Sequence, residues 1–224
     1  MKLKTFISNA CIIFFMLVLF TMVPAWAGTK IVYENEIFNQ TLRLYLENDE
    51  VLIMNNCYFD GGELRVRGKG NVFIDKCIFQ SPPRSAMDIM VDGYVSIQSV
   101  DIYGTGTTPN NHRYSGLTLH GATQGGLISN VIVTDFPGNG ILVEASLPIN
   151  RVKFSNIQVY DCGGGMWLFN ADGCKVDGFY SENSDYKQLR RFAYRQAFPC
   201  ILDEVVVDGE RYRGNTLFRN ITCY

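Results

Sequence analysis

Apolar and polar residues alternate in short runs along most of the chain, and glycine, asparagine or aspartate separates the runs. Two blocks nearly repeat each other. Residues 130–135 read NVIVTD, and after a short turn residues 140–144 read GILVE. Residues 156–161 read NIQVYD, and after a glycine turn residues 165–169 read GMWLF. Alternation over so few residues is typical of half-buried β-strands, so each block is predicted to be a pair of short strands.

The second block begins 26 residues after the first, which is the length of a structural repeat and too short for a domain. A strand of four or five residues cannot bury its apolar side alone. It can do so when a copy of itself lies about 4.8 Å away in a parallel ladder. The sequence therefore predicts a solenoid, with loops of different length between its coils. The first-strand positions predicted to stack are Cys57, Cys77, Val100, Val131, Ile157 and Phe179.

Polar residues directly precede four of these stacked positions. They are Asn56, Ser99, Asn130 and Asn156. Side chains in one column can form hydrogen bonds along the stack and satisfy backbone groups of the turns. We expect this column to have a structural role.

The GNGI turn and strand at 138–141, the strand starts SNV and SNI at 129–131 and 155–157, and the repeat length resemble a known group of proteins. They resemble the right-handed parallel β-helix proteins of the pectate-lyase-like superfamily. The resemblance implies an all-β, single-stranded, right-handed parallel β-helix of about six coils. It implies little about function, because that superfamily includes lyases, hydrolases, epimerases, phage tailspikes and adhesins.

Enzyme motifs of that superfamily are incomplete in this chain. Leu119-His120-Gly121 is only a fragment of the GHG motif of polygalacturonase-like families, whose Asp-Asp pair is not matched. The R-x-P-x-x-R motif of pectate lyases is absent. No catalytic residue is therefore carried over from either family.

The N-terminus has the composition of a secretory signal peptide. Lys2 and Lys4 precede an apolar run over about residues 10–23, and Ala25-Trp26-Ala27 forms an A-x-A site. We expect cleavage after Ala27, which leaves residues 28–224 as one β-helix domain. The alternative, an uncleaved membrane anchor, is disfavoured because the apolar run is short. The predicted location is secreted, cell-surface or periplasmic, without membrane attachment after cleavage. The remaining net charge of about −4 and the lack of a basic tract argue against a nucleic-acid partner.

The repeat pattern is lost from 184 to 214, which we expect to be an irregular insertion or a covering segment, with a strand at 200–207. The pattern restarts at 218–224, where the sequence stops. An open coil at this point could pair locally, pair with another chain to form an oligomer, or continue in a longer protein. The sequence leaves these three alternatives open.

Six cysteines follow the predicted cleavage site, an even number that suits disulfides in an exported chain. They are Cys57, Cys77, Cys162, Cys174, Cys200 and Cys223. Fifteen pairings are conceivable. Cys57 and Cys77 occupy matching repeat positions, so they either form a disulfide or stack as small core thiols.

Two aspartates, Asp135 and Asp161, follow their stacked residues by four positions. One coil apart, their backbones would lie about 5 Å from each other. Like charges so close favour one protonated and one ionised carboxyl, the arrangement that glycoside hydrolysis uses. Asp135 and Asp161 are therefore the predicted catalytic pair. The alternative is structural, because aspartate is common in turns. Their oxygens would also suit Ca²⁺, although the spacing requires no ion and we expect no cofactor.

The loops at the same edge of the preceding coils carry Arg84, His112 and Arg113. Loops on a rigid scaffold are frequent binding sites, and arginine suits the carboxylate of a uronate sugar. These three residues are predicted to bind substrate. The alternative is that their charges are merely solvated.

A second cluster is predicted on the outer face of the second strands. Thr118, Leu142 and Trp167 should form one outward column, and His120, Glu144 and Phe169 the next. An outward aromatic ring can contact the face of a sugar, and a neighbouring histidine and glutamate can hydrogen-bond its hydroxyls. His120, Glu144 and Trp167 are therefore further predicted substrate-binding residues. The alternative is that the 184–214 segment covers this face.

These features together predict an exported β-helix that binds an extracellular polysaccharide and could cleave it by lyase or hydrolase chemistry. The arginines favour an acidic polysaccharide. The main alternative is a non-catalytic surface, adhesin-like or structural module, or a fragment of a longer protein. A phage-derived spike domain is a third reading, which the signal peptide disfavours.

Overall fold

The computed structural model of the chain describes residues 28–106, 114–122, 124–184, 186 and 196–224, with 145–150 described by their backbone alone. The predicted signal peptide lies outside these residues, as do His112 and Arg113. All the regular elements of the described residues are β-strands. Within the same ranges, no helix has the length and hydropathy needed to cross a membrane.

The strands form two sheets, which face each other across the core. Sheet A contains β1 (Lys30–Glu34), β2 (Ile37–Phe38), β4 (Val51–Asn55), β5 (Tyr58–Asp60), β7 (Asn71–Asp75), β8 (Ile78–Gln80), β10 (Val95–Tyr103), β12 (Gly126–Thr134), β14 (Val152–Tyr160), β16 (Lys175–Glu182) and β20 (Leu217–Cys223). Sheet B contains β3 (Leu42–Leu46), β6 (Leu64–Gly68), β9 (Met87–Val91), β11 (Leu117–Leu119), β13 (Asn139–Asn150), β15 (Gly164–Asp172), β17 (Gln196–Phe198), β18 (Ile201–Val207) and β19 (Glu210–Arg213).

Successive coils lie in register, as the repeat predicts. Val100 pairs with Val131, Val131 with Ile157, and Ile157 with Phe179, all in parallel ladders. The chain passes from sheet A to sheet B and returns to the next position in sheet A. The prediction of an all-β parallel β-helix of about six coils is confirmed. The ladder of sheet A also extends beyond the predicted positions, with β1 before them and β20 after them.

The core is a set of columns of inward side chains, one from each coil. Val131, Ile157 and Leu168 have no exposed surface. At the N-terminal end the rings of Phe59 and Phe79 stack with centroids 4.4 Å apart. Burial of each such side chain stabilises the fold by about 1.5–3 kcal/mol. Because every coil completes the core of its neighbours, none is expected to be stable alone.

A column of left-handed residues runs along the middle of sheet A. Asn56 and Asn156 have φ values of 53° and 52°. Their amide groups donate to Asn35 and Asn130 of the preceding coils, at 2.7 and 2.8 Å. Asparagine tolerates this conformation better than most residues. The predicted polar column is thus confirmed, and its members bond along the stack.

Part of the stretch predicted to be irregular, 184–214, continues the β-helix. The strand predicted at 200–207 is β18, which pairs in parallel with β15, so that Trp167 lies beside Leu202. The short strands β17 and β19 flank β18 in antiparallel orientation. Asp208 and Gly209, with φ of 52° and 83°, form the tight turn between β18 and β19. The repeat is hard to recognise in the sequence because these antiparallel strands and a long connection interrupt it.

One disulfide joins Cys200, before β18, to Cys223, at the end of β20, with a Cα–Cα distance of 5.7 Å. It links the last strands of the two sheets. Cys57, Cys77, Cys162 and Cys174 are buried and are not part of a disulfide. The structure therefore favours stacked core thiols over a Cys57–Cys77 disulfide. Burial raises the pKa of Cys77 to about 12, so this thiol is unreactive near neutral pH.

Replacing Asn130 tests the left-handed column. We expect Asn130→Ala to lower the free energy of unfolding by about 1–2 kcal/mol, because alanine is strained at positive φ. Asn130→Gly should cost roughly 1 kcal/mol less, because glycine is unstrained there. Denaturant titration of both variants measures the difference. Equal stability of the alanine and glycine variants would show that positive φ does not explain the asparagine at this position.

Removing the disulfide should loosen the C-terminal end. The bond closes a loop with a sequence separation of 23 residues. We expect the double variant Cys200→Ser, Cys223→Ser to lose about 2–4 kcal/mol of stability. A reductant should lower the melting temperature of the wild type and leave the variant unchanged. Equal sensitivity of both proteins to the reductant would contradict the assigned pairing.

Candidate functional site

Three polar residues form a corner where the strands of sheet A end. This acid corner consists of Asp135, Asp161 and Asn183, which have φ values of 59°, 51° and 54°. The backbone N–H of Asp135 donates to Tyr160 of the next coil, at 3.1 Å. The side-chain amide of Asn183 donates to Oδ1 of Asp161, at 3.0 Å. The two aspartates are exposed vertical neighbours, as predicted.

The backbone of the acid corner also supports the structural alternative. Aspartate and asparagine are among the few residues that adopt positive φ at low cost, so a corner of this shape selects them. One oxygen of Asp161 is already engaged by Asn183. The catalytic role of Asp135 and Asp161 stays a prediction.

Arg84 lies on the same edge of the β-helix as the acid corner. It is exposed and follows Ser81 by three residues. The N–H of Ser81 donates to Tyr103, and the N–H of Gly104 donates to Thr134, so Ser81 lies two coils before Asp135. Two coil spacings correspond to roughly 10 Å along the axis. A ligand that contacted both this loop and the acid corner would therefore have to extend along the axis.

A feature that the sequence did not reveal lies beside the acid corner. The last coils carry an open groove of about 410 Å³ on the outer face of sheet A. The rings of Tyr160 and Tyr180 have centroids 5.6 Å apart, and those of Tyr180 and Tyr224 are 5.8 Å apart. We call these three residues the tyrosine ladder. The groove is lined by Asn156, Ile157, Gln158, Tyr160, Gly178, Phe179, Tyr180, Asn220 and Thr222.

Hydrogen bonds hold two rings of the ladder in place. The hydroxyl of Tyr160 donates to Oε1 of Gln158, at 2.7 Å. The hydroxyl of Tyr180 donates to Oε2 of Glu182, at 2.9 Å, and this bond raises the pKa of Tyr180. Because each bond joins residues two apart on one strand, the orientation of each ring is fixed before a ligand arrives.

The groove and the acid corner adjoin each other. Tyr160 directly precedes Asp161, and Glu182 directly precedes Asn183. Asp161 and Asn183 therefore border the groove where the strands end. A signal for the ladder was present in the sequence, because Gln158 and Tyr180 occupy matching positions, as do Tyr160 and Glu182.

The outer face of sheet B carries the second predicted cluster. Thr118 pairs with Leu142, and Leu142 with Trp167, so the predicted column is present, but Thr118 and Leu142 are buried. The sheets place this cluster and the tyrosine ladder on different faces of the β-helix. His120, Glu144 and Trp167 therefore do not share a site with the ladder.

The main partner of His120 is Asp88, which the sequence did not single out. Nε2 of His120 lies 3.2 Å from Oδ1 of Asp88, and Nδ1 lies 2.9 Å from the backbone oxygen of Glu144. On its other side, Oδ2 of Asp88 lies 2.7 Å from Nη2 of Arg67. We call Arg67, Asp88, His120 and the Glu144 carbonyl the charged chain, and it joins four consecutive coils of sheet B.

Both ring nitrogens of His120 face acceptors, so the imidazolium form satisfies the site. The hydrogen bond to Asp88 raises the pKa of His120, although burial opposes it. Burial also acts to raise the pKa of Asp88, but hydrogen bonds from His120 and Arg67 outweigh it and lower that pKa to about 2. The raised pKa favours the imidazolium form, in which His120 links Asp88 to the backbone of Glu144.

Trp167 and Phe169, the aromatic pair on the outer face of sheet B, are partly covered. Nε1 of Trp167 donates to Oε1 of Glu204, at 3.0 Å. Glu204 is only 4% exposed and pairs with Arg211, whose guanidinium lies 6.0 Å from the ring centroid of Phe169. Side chains of the C-terminal strands thus contact this face from the next coil, since β18 lies beside β15 in the same sheet. Trp167 is left half-buried, and the side chain of Glu144 is exposed.

A metal site receives little support from the side chains. In the part of the chain that the structure describes, no group of three or more histidine, cysteine, aspartate or glutamate residues could hold a metal ion. The suggestion of Ca²⁺ beside Asp135 and Asp161 remains untested.

Comparison with known proteins gives one match. The family model described as a right-handed β-helix region matches residues 26–181, which is more than half of the chain. No curated protein and no solved structure matches the chain. The groove extends past the matched region, because its lining residues Asn220 and Thr222 lie beyond residue 181.

The charged chain makes stability depend on pH. The raised pKa of His120 means that its contribution is complete below its usual pKa of about 6.5 and is lost as the pH rises through the higher folded value. We expect His120→Gln to cost about 1–3 kcal/mol near pH 5.5 and clearly less near pH 9.

Denaturant titrations of wild type and His120→Gln at several pH values measure this effect. Glu144→Gln is the matched control, because it leaves the backbone acceptor in place and should largely preserve the pH profile. A cost of His120→Gln that did not change with pH would show that the imidazolium link is absent.

Proposed function

Because the chain belongs to the right-handed β-helix family, we propose that it is an exported protein that binds an extracellular polysaccharide on the outer face of sheet A. The observation that carries this proposal is the groove of about 410 Å³ with the tyrosine ladder along it. Its volume lies in the range of small-molecule and oligomer binding sites. Stacked coils supply a rigid surface, which limits the entropy lost on binding.

Export is supported by two independent features. Lys2, Lys4 and the Ala25-Trp26-Ala27 site form the pattern of a signal peptide. The Cys200–Cys223 disulfide suits an oxidising compartment. A location outside the cell, at its surface or in the periplasm fits both features and would bring the protein to polysaccharides.

Cleavage of the bound polysaccharide is the finer hypothesis, with Asp135 and Asp161 as the acid and base of lyase or hydrolase chemistry. The observation in its favour is that both carboxylates are exposed and lie one coil apart, with Asp161 directly after the groove residue Tyr160. Arg84 would hold a more distant part of the chain. Placement in the pectate-lyase-like superfamily belongs to this hypothesis.

A non-catalytic adhesin-like or structural module is the alternative function. The positive φ of Asp135 and Asp161 favours it, because the corner selects such residues without chemistry. Pairing of copies through β20, which lies at the end of the order of sheet A, would suit such a module. In this case polysaccharide would be bound but not cleaved.

Binding and turnover can be measured together on a panel of neutral and acidic polysaccharides. We expect the protein to bind at least one of them. If the acid pair is catalytic, Asp135→Asn and Asp161→Asn should each lower turnover by about 10²-fold or more while binding persists. Asp208→Asn is the matched control, because Asp208 is also exposed with positive φ but lies in the β18–β19 turn.

The outcomes separate the hypotheses. Turnover that the acid variants leave unchanged would remove Asp135 and Asp161 from the mechanism. Binding without product would support the adhesin-like module. Binding to no polysaccharide in the panel would contradict the proposed function itself.

A further inference from the structure

We propose that the groove recognises a neutral, linear polysaccharide whose chain runs parallel to the β-helix axis across Tyr160, Tyr180 and Tyr224. This inference rests on the proposed function and specifies its substrate class and its direction of binding. It differs from the expectation of an acidic ligand, which was based on the loop arginines.

The direction follows from the way the ladder is built. Each tyrosine comes from a different coil, and the ring centroids are 5.6 and 5.8 Å apart. The aromatic surface therefore repeats along the axis at nearly the spacing of the coils. A chain parallel to the axis would contact all three rings, whereas a chain across the sheet would contact one. Repeated contacts on one chain strengthen binding.

The exposure of the ladder supports a role in binding. Tyr224 is 74% exposed, although its ring packs beside Tyr180. Tyr160 and Tyr180 are half-buried, with their hydroxyls held by neighbours. Exposed aromatic rings in a row are uncommon on a surface without a ligand. Their faces match the apolar C–H faces of sugar rings.

The polar lining of the groove is uncharged. Gln158, Asn156, Asn220 and Thr222 are its polar side chains other than tyrosine. Oε1 of Gln158 accepts the hydroxyl of Tyr160, which leaves the amide nitrogen of Gln158 as a donor. Amides and hydroxyls both donate and accept, which is what the hydroxyls of a neutral sugar require.

Carboxylates border the groove on both sides. Glu182 accepts from Tyr180, Asp161 lies at the corner, and Asp177 accepts from the amide of Asn220, at 2.7 Å. These charges repel a polyanion. Three cations of this face, Lys153, Lys175 and Arg219, precede the groove on their strands, and Arg219 directly adjoins the lining residue Asn220. Lys175 is five residues from Tyr180, roughly 16 Å along the strand.

The experiment measures binding of the mature chain to two sets of polymers. One set is neutral, for example a linear glucan, a mannan and a xylan, and the other consists of uronate polymers. We expect binding to at least one neutral polymer and weaker or no binding to the uronates. Tyr180→Ala should weaken neutral binding by at least about tenfold, and Tyr180→Phe should retain most of it, because the ring face provides the contact.

Two further variants keep the test interpretable. Tyr212→Ala, on the exposed strand β19 and outside the groove, should not change binding. Tyr224→Ala removes a mostly exposed ring, so the fold should survive, and binding should weaken in the same direction as for Tyr180→Ala. Melting curves establish that each variant is folded.

Exclusive binding to uronates, or neutral binding that neither Tyr180→Ala nor Tyr224→Ala weakens, would overturn this inference and leave the proposed function standing. Binding to none of the polymers would overturn both.

Discussion

The parallel hydrogen-bond ladder between successive coils is the interaction on which the rest of the structure depends. It fixes the spacing and register of each coil against the next, so residues about two dozen positions apart become vertical neighbours. Val131 and Ile157 illustrate this relation in the core, and Asp135 and Asp161 illustrate it at the surface. A slip of one residue would turn every inward side chain outward, and burial therefore specifies the register strongly.

The two sheets use this geometry differently on their outer faces. On sheet B, Asp88 pairs with both Arg67 and His120, so the polar groups of the charged chain are partners of one another across coils. On sheet A, the last coils leave tyrosine rings, amides and hydroxyls beside an open groove. Groups that satisfy each other stabilise the stack, whereas groups that retain exposed faces and donors can bind a ligand. This contrast favours sheet A as the proposed binding face.

The inward columns could be predicted from the sequence because burial imposes one residue class at a fixed position in every coil. The polar column that contains Asn56 could be predicted for the same reason, since a backbone with positive φ favours asparagine. The partnership of Asp88 with His120 could not, because it joins positions that are not equivalent in their coils. The tyrosine ladder was missed because outward positions vary from coil to coil, and Gln158 and Glu182 alternate with its rings.

The C-terminal region shows a second limit of prediction from sequence. β18 continues sheet B, but a long connection precedes it and the antiparallel strand β19 follows it, so no constant period links it to β15. The family match likewise ends at residue 181. The strand β20 nevertheless contributes Asn220 and Thr222 to the groove, and Tyr224, directly after this strand, belongs to the tyrosine ladder. The part of the chain least evident as a repeat thus supplies part of the proposed binding surface.

Backbone hydrogen exchange in the presence and absence of a bound polysaccharide tests the central claim most directly, since it reports which coils the ligand contacts. The stacked arrangement predicts added protection in three separate stretches at once, at 156–161, 178–183 and 220–224, with the outer face of β9 and β11 unchanged. Protection confined to a single stretch, or centred on β9 and β11, would contradict a binding surface assembled from successive coils of sheet A.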